Sequence, residues 1–131
     1  MKIFIAAVLL SFTALSGFQC RKEEPQVQPA NCLKGRLEKK GICANYTISV
    51  VQGGIDPSLV EADWQDPNTK ITYHKAFRLA SPCAFPTNLK EGDEFYFQID
   101  PSPSQDCVVC QAWYPTPSKS LAIKVLNGPC Q

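Results

Sequence analysis

Six cysteines, Cys32, Cys43, Cys83, Cys107, Cys110 and Cys130, are spread through the last hundred residues of a 131-residue chain. Their number is even, so all can pair, and pairing needs an oxidising compartment outside the cytoplasm. A domain of this size buries a modest core and gains from covalent staples. Six cysteines allow about 15 connectivities, and spacing does not choose among them. One local pairing and one anchoring role suggest themselves. Cys32 and Cys43 would face each other across a hairpin turning near Lys39-Lys40-Gly41, and Cys130, next to the C-terminus, would pin the last strand.

The seventh cysteine, Cys20, stands apart. It follows a basic start, Met1-Lys2, and an apolar run of about 13 residues from Ile3 to Leu15. That run has the length of a signal-peptide core and falls short of the roughly 20 residues that span a bilayer. Cys20 then precedes the charged stretch Arg21-Lys22-Glu23-Glu24. This order reads as a lipoprotein export signal in which Cys20 is lipidated and begins the mature chain. Leu15-Ser16-Gly17 lies early, with Phe18-Gln19 between it and the cysteine. This looser site and the basic-then-acidic stretch after it resemble lipoproteins of the Bacteroidota, some of which are displayed on the cell surface. The segments Cys32-Leu33-Lys34-Gly35-Arg36-Leu37, Gly41-Ile42-Cys43, Ser81-Pro82-Cys83 and Cys107-x-x-Cys110 look like the small cysteine-rich lipoproteins of the same group. The resemblance implies an envelope location on a palmitate-type anchor at the outer membrane, with surface display as in some of that group and the leaflet left open, and brings no activity with it. The other reading is ordinary cleavage after Ser16, at Ala14-Leu15-Ser16, giving a secreted or periplasmic soluble protein. It would leave all seven cysteines in the product, with one unpaired.

The expected organisation is a signal peptide over 1–19, a flexible tether over 20–31 and one cysteine-rich β-domain over 32–131. The tether is polar, carries Pro25 and Pro29, and has no apolar periodicity. Beyond it, short alternating runs recur: Ile42 to Val50, Ile71 to Leu79, Phe95 to Ile99 and Leu121 to Val125. Leu33–Lys39 and Cys107–Tyr114 are weaker strand candidates. Gly53-Gly54, Asp66-Pro67-Asn68, Glu91-Gly92-Asp93 and Pro101-Ser102-Pro103 read as turns. One short helix is expected, capped by Asp56, with Pro57 at its first position, and running to about Trp64. The fold class is therefore all-β: a small antiparallel sandwich or closed barrel of five or six strands, stapled by disulfides, with one short helix. An oligonucleotide/oligosaccharide-binding-like barrel is the alternative.

The mature part carries 12 basic and 12 acidic side chains, since Lys2 lies in the signal. It has no basic field for nucleic acid and no acidic tail, so no nucleic-acid partner is expected. Cys107-Val108-Val109-Cys110 is the first motif to weigh. As a thiol–disulfide exchange site it would need a lowered thiol pKa, commonly from a helix N-terminus, and its flanks are strand-like or irregular. Gln111 stands where a c-type haem site needs His. Zinc would need reduced thiolates. Structural disulfides therefore fit this motif better. His74, the single histidine, falls on the polar face of a strand with no second His to share a metal. Glu91, Asp93 and Glu94 flank Gly92 and read as a turn entering a strand. Asn45-Tyr46-Thr47 matches a glycosylation acceptor on a predicted strand and is read as chance. No catalytic constellation or cofactor motif emerges.

Trp113 and Tyr114 directly precede Pro115-Thr116-Pro117. On a regular strand, neighbours point to opposite faces, so one of these two rings should lie at the surface. Trp64, placed in the loop before Asp66, is the other candidate contact. The expected function is a non-catalytic binding or interaction module on a lipid tether, meeting an envelope protein or glycan. The alternatives are a redox or enzyme-accessory role at Cys107 and Cys110, and a structural envelope component.

Overall fold

The structure is a computed structural model, and it describes residues 31–130. The signal peptide, the lipidation site Cys20 and almost all of the tether lie outside the described residues.

Seven strands follow in chain order: β1 (Leu33–Lys40), β2 (Tyr46–Gln52), β3 (Glu61–Gln65), β4 (Thr72–Leu79), β5 (Glu94–Ile99), β6 (Ser120–Leu121) and β7 (Ile123–Val125). They form one sheet in the order β3-β4-β2-β1-β5-β7, antiparallel except that β6 pairs in parallel with β4. Only Ala122 separates β6 from β7, so the last segment reaches β4 with one end and β5 with the other. The sheet does not close into a barrel. It folds over in sandwich-like fashion, and the return of β6 to β4 gives it some of the wrap of the barrel alternative.

The period-two pattern decides which side chains meet inside. β1 contributes Leu33 and Leu37, β2 Ile48 and Val50, β4 Phe77 and Leu79, β5 Phe95 and Phe97, and the last segment Leu121 and Ile123. Phe77 and Phe97 are fully buried with ring centroids 6.0 Å apart. Phe95 continues the stack to Phe85, edge-on at 5.4 Å. Gly35 makes this packing feasible, because a Cβ there would sit 2.9 Å from Cε1 of Phe97.

Several expectations need correction. The helix is a single 3₁₀ turn, Pro57–Leu59. Asp56 does cap it, its Oδ1 accepting from the Ser58 N–H at 2.9 Å. Val60 is then extended and buried, and 61–65 form β3, paired with β4 from Glu61↔Ala76 to Gln65↔Thr72. Pairing with a ready partner strand overrides a three-residue helical start. Ile42–Ala44 is likewise a 3₁₀ turn, with Cys43 and Ala44 at φ 54° and 56°, so β2 begins only at Tyr46. In β4, Lys75 has φ 49° and breaks the alternation, leaving Ile71 about half exposed. The Asp66 turn is as expected: its buried carboxylate accepts from Asn68 N–H at 2.8 Å and from the Thr69 hydroxyl at 3.0 Å.

The disulfides are Cys32–Cys130, Cys43–Cys110 and Cys83–Cys107. Cys32 therefore does not pair across the first hairpin. Its bond to Cys130 does pin the end of the chain. Cys107–Tyr114 is not a strand: from Asp100 to Lys119 no strand or helix forms. This segment finds no ladder partner and is held by two disulfides and by buried Pro115 and Pro117. Among the described residues, no helix is long and apolar enough to cross a membrane.

Candidate binding cleft

The loop that ends β1 is fastened to the long segment before β6. Cys43 bonds Cys110, and Asn45 donates its Nδ2 hydrogens to the carbonyls of Ile42 at 2.9 Å and Ala112 at 3.0 Å. The amide of Asn45 thus serves the fold. Gly41 adds a close approach. A Cβ there would lie 2.5 Å from Cδ1 of Tyr114, so the tyrosine ring rests on the glycine. Seating Tyr114 in this way leaves Trp113, its neighbour, 82% exposed. The expected separation of the two rings holds, although the cause is a loop packed on a glycine and not strand alternation.

Trp64 comes from the other side. It lies near the end of β3, not in a loop, and stacks on Tyr73 with centroids 6.0 Å apart and planes 21° apart. Trp64, Trp113 and Tyr114 line one cleft of about 370 Å³ together with Asn45, Gln65 and Arg78. A second cleft, of about 530 Å³, adjoins it and is lined by Cys43, Pro82, Gln105, Cys110 and Gln111 among others. Asn45, Arg78 and Trp113 belong to both, so they form the ridge between two halves of one surface. Among the described residues, no acidic side chain lines either half. Among the described residues, Arg78 makes no ion pair, and it is the one formally charged group in the lining.

The three aromatic candidates are thus brought together, while the sequence reading missed Asn45 and Arg78. Asn45 was visible only as part of a glycosylation pattern. Arg78 falls within the alternating run Ile71 to Leu79 and carried no signal of its own.

Of the remaining candidates, Cys43 and Cys110 line the second half of the cleft and the others lie outside it. Cys107 and Cys110 sit in different disulfides, and all six cysteines of the domain are bonded. His74 is exposed on β4 and hydrogen-bonds Asp63 across the hairpin. It borders a shallow groove of about 270 Å³ with Glu38 and Tyr73, and burial pushes the carboxyl of Glu38 above its ordinary value. Among the described residues, the buried hydroxyls of Thr47 and Ser49 meet no hydrogen-bond partner. The acidic turn supports backbone: Glu91 accepts from Lys40 N–H at 2.7 Å and Asp93 from Lys90 N–H at 2.9 Å. Glu94 pairs with Lys34 at 2.5 Å and Arg36 at 2.7 Å, which lower its carboxyl pKa. No group of three His, Cys, Asp or Glu among the described residues is placed to hold a metal ion.

Fold and cleft define a class: a mostly-β domain stapled by three disulfides, a chemistry that points to a compartment outside the cytoplasm. No family model, curated protein or solved structure matches the chain.

Proposed function

We propose that this protein is a non-catalytic binding module, held on the cell envelope by a lipid on Cys20, and that its ligand meets the double cleft around Trp113. The observation that carries this reading is the convergence of Trp64, Trp113 and Tyr114 with Arg78 on one surface. A ring as exposed as Trp113, on a segment fastened by two disulfides, offers contact area at little ordering cost.

The point at which the chain enters the domain supports the same reading. The tether enters at Cys32, at the start of β1, whereas the loop at 41–45 follows the end of that strand. Eight residues of strand separate the two by roughly 26 Å, taking about 3.3 Å per residue. A lipid attached through Cys20 would therefore join the domain at the end of β1 opposite the cleft and leave the cleft clear of the attachment point.

Trp64 and Trp113 are the only two tryptophans in the chain, and both line the cleft. Intrinsic fluorescence therefore reports the site directly. The test fractionates envelope extract over the immobilised full-length protein and titrates eluted ligands against tryptophan emission. The expected result is a ligand that shifts emission and is lost in Trp113→Ala and Trp64→Ala, with circular dichroism unchanged. Undiminished ligand retention by both folded variants would remove the cleft from consideration.

A further inference from the structure

The lining of the double cleft has a chemistry of its own. Four side-chain amides border it, those of Asn45, Gln65, Gln105 and Gln111, and three of them donate an N–H to a backbone carbonyl: Asn45 to Ile42 and Ala112, Gln65 to Lys70 at 3.2 Å, and Gln105 to Ala80 at 3.4 Å. These bonds fix the amides with their oxygens left over. Among the described residues, no donor reaches Asn45 Oδ1, Gln65 Oε1 or Gln105 Oε1. The surface therefore offers acceptors to hydroxyl donors, an exposed indole to a flat apolar face, and one cation without a counter-charge. Arg78 is that cation. It stands on the ridge shared by both halves, in a lining that holds no carboxylate.

We propose that the double cleft binds an acidic oligosaccharide, a glycan chain whose sugars carry carboxylates. This rests on the cleft reading above and adds the class of ligand. A pyranose ring presents an apolar face to Trp113 and hydroxyl donors to the amide oxygens. A carboxylate on the ring takes the guanidinium of Arg78 in a two-point contact, which the planar fork of arginine suits better than lysine does. The lack of acidic side chains around Arg78 leaves its charge to the ligand and disfavours cationic glycans. Two adjoining halves meeting at Arg78 and Trp113 suit a chain of several sugars over a single one.

The test titrates full-length protein with tryptophan fluorescence against uronate oligomers (oligogalacturonate and oligoguluronate), a sialylated oligosaccharide and the methyl ester of each. The expected result is saturable binding of at least one acid form. Its ester should bind tenfold or more weakly, and added salt should weaken the acid form. Arg78→Ala should lose tenfold or more for the acid form and little for the ester. Arg78→Lys should fall between, and Trp113→Ala should weaken both forms. Equal affinity for acid and ester, or an Arg78→Ala variant that binds as wild type, overturns the proposal. Binding of a neutral glycan that depends on Trp113 and ignores Arg78 overturns it while leaving the cleft as the binding site. If no member of the panel binds, or if only a peptide carboxylate does, the proposal also falls.

Discussion

Replacing Cys43 and Cys110 together by Ser should destabilise the domain by about 3–4 kcal/mol. The magnitude follows from how the disulfides nest. Cys43 and Cys110 are 67 residues apart, and an isolated ring of that size would contribute about 4.4 kcal/mol through lost chain entropy. The ring is not isolated. Cys32–Cys130 spans it from outside, with Cys43 11 positions after Cys32 and Cys130 20 positions after Cys110. With that outer bond intact, the unfolded chain already keeps Cys43 and Cys110 within about 30 residues of each other, so the increment drops below 4 kcal/mol. Lost packing adds little, because Cys110 is exposed and Cys43 half-buried. A loss of this size is a large share of the ~5–15 kcal/mol typical of a single domain, so the variant should fold with a much lower urea midpoint. The assay is equilibrium urea unfolding followed by far-ultraviolet circular dichroism, with wild type and variant compared at equal slope. A loss under about 1 kcal/mol would refute the reasoning. It would mean either that this pairing is not the native one or that the unfolded chain is already compact without it.

Two carboxyls should give opposite pH dependences. Lys34 and Arg36 hydrogen-bond Glu94 and lower its pKa, so its stabilising contribution is present above the ordinary carboxylate value and lost as pH falls through the lowered one. Burial raises Glu38, so its contribution is present below the ordinary value and lost as pH rises through the raised one. Urea midpoints across the carboxylate range should show Glu94→Gln flattening the acid-side loss and Glu38→Gln gaining relative stability at neutral pH; a profile unchanged by either substitution contradicts the assignment. For the anchor, metabolic labelling with a fatty-acid probe should mark the wild-type protein and leave Cys20→Ser unlabelled, and equal labelling of the two would end the lipoprotein reading.

Where one face of a strand meets the core, the sequence was informative. Alternation in Phe95–Ile99 and Leu121–Val125 identified β5 and the last segment, because a one-residue slip would turn Phe97 and Ile123 out of the core. It misled where the backbone leaves the regular region. Alternation does not record that Cys43, Ala44 and Lys75 adopt positive φ, so Ile42 and Ile71 were placed on buried strand faces and are exposed. Asp56-Pro57 started a helical turn as its chemistry requires, but whether 60–65 continue it depends on the availability of β4, which is not local information. The connectivity was out of reach for the same reason. Cys32 and Cys43 are neighbours in sequence, yet they sit at opposite ends of β1, so no bond can join them while the strand exists.

The site was legible for a different reason from the fold. Trp113 and Tyr114 were singled out on the premise of a strand, and the premise fails. What survives is the composition of the segment: large rings beside prolines, in a stretch whose following prolines remove backbone donors a ladder would need. Such a stretch has no ladder to order it, and long segments without secondary structure are uncommon in compact domains unless they carry function or remain loose. Here Cys107 and Cys110 bind it at two points, buried Pro115 and Pro117 seat its far end, and Asn45 ties Ala112 to the loop after β1. The cysteines that suggested redox chemistry therefore act on the site indirectly. By lying in separate bonds, to Cys43 and Cys83, they fasten the aromatic segment to two different loops and hold Trp113 beside Arg78.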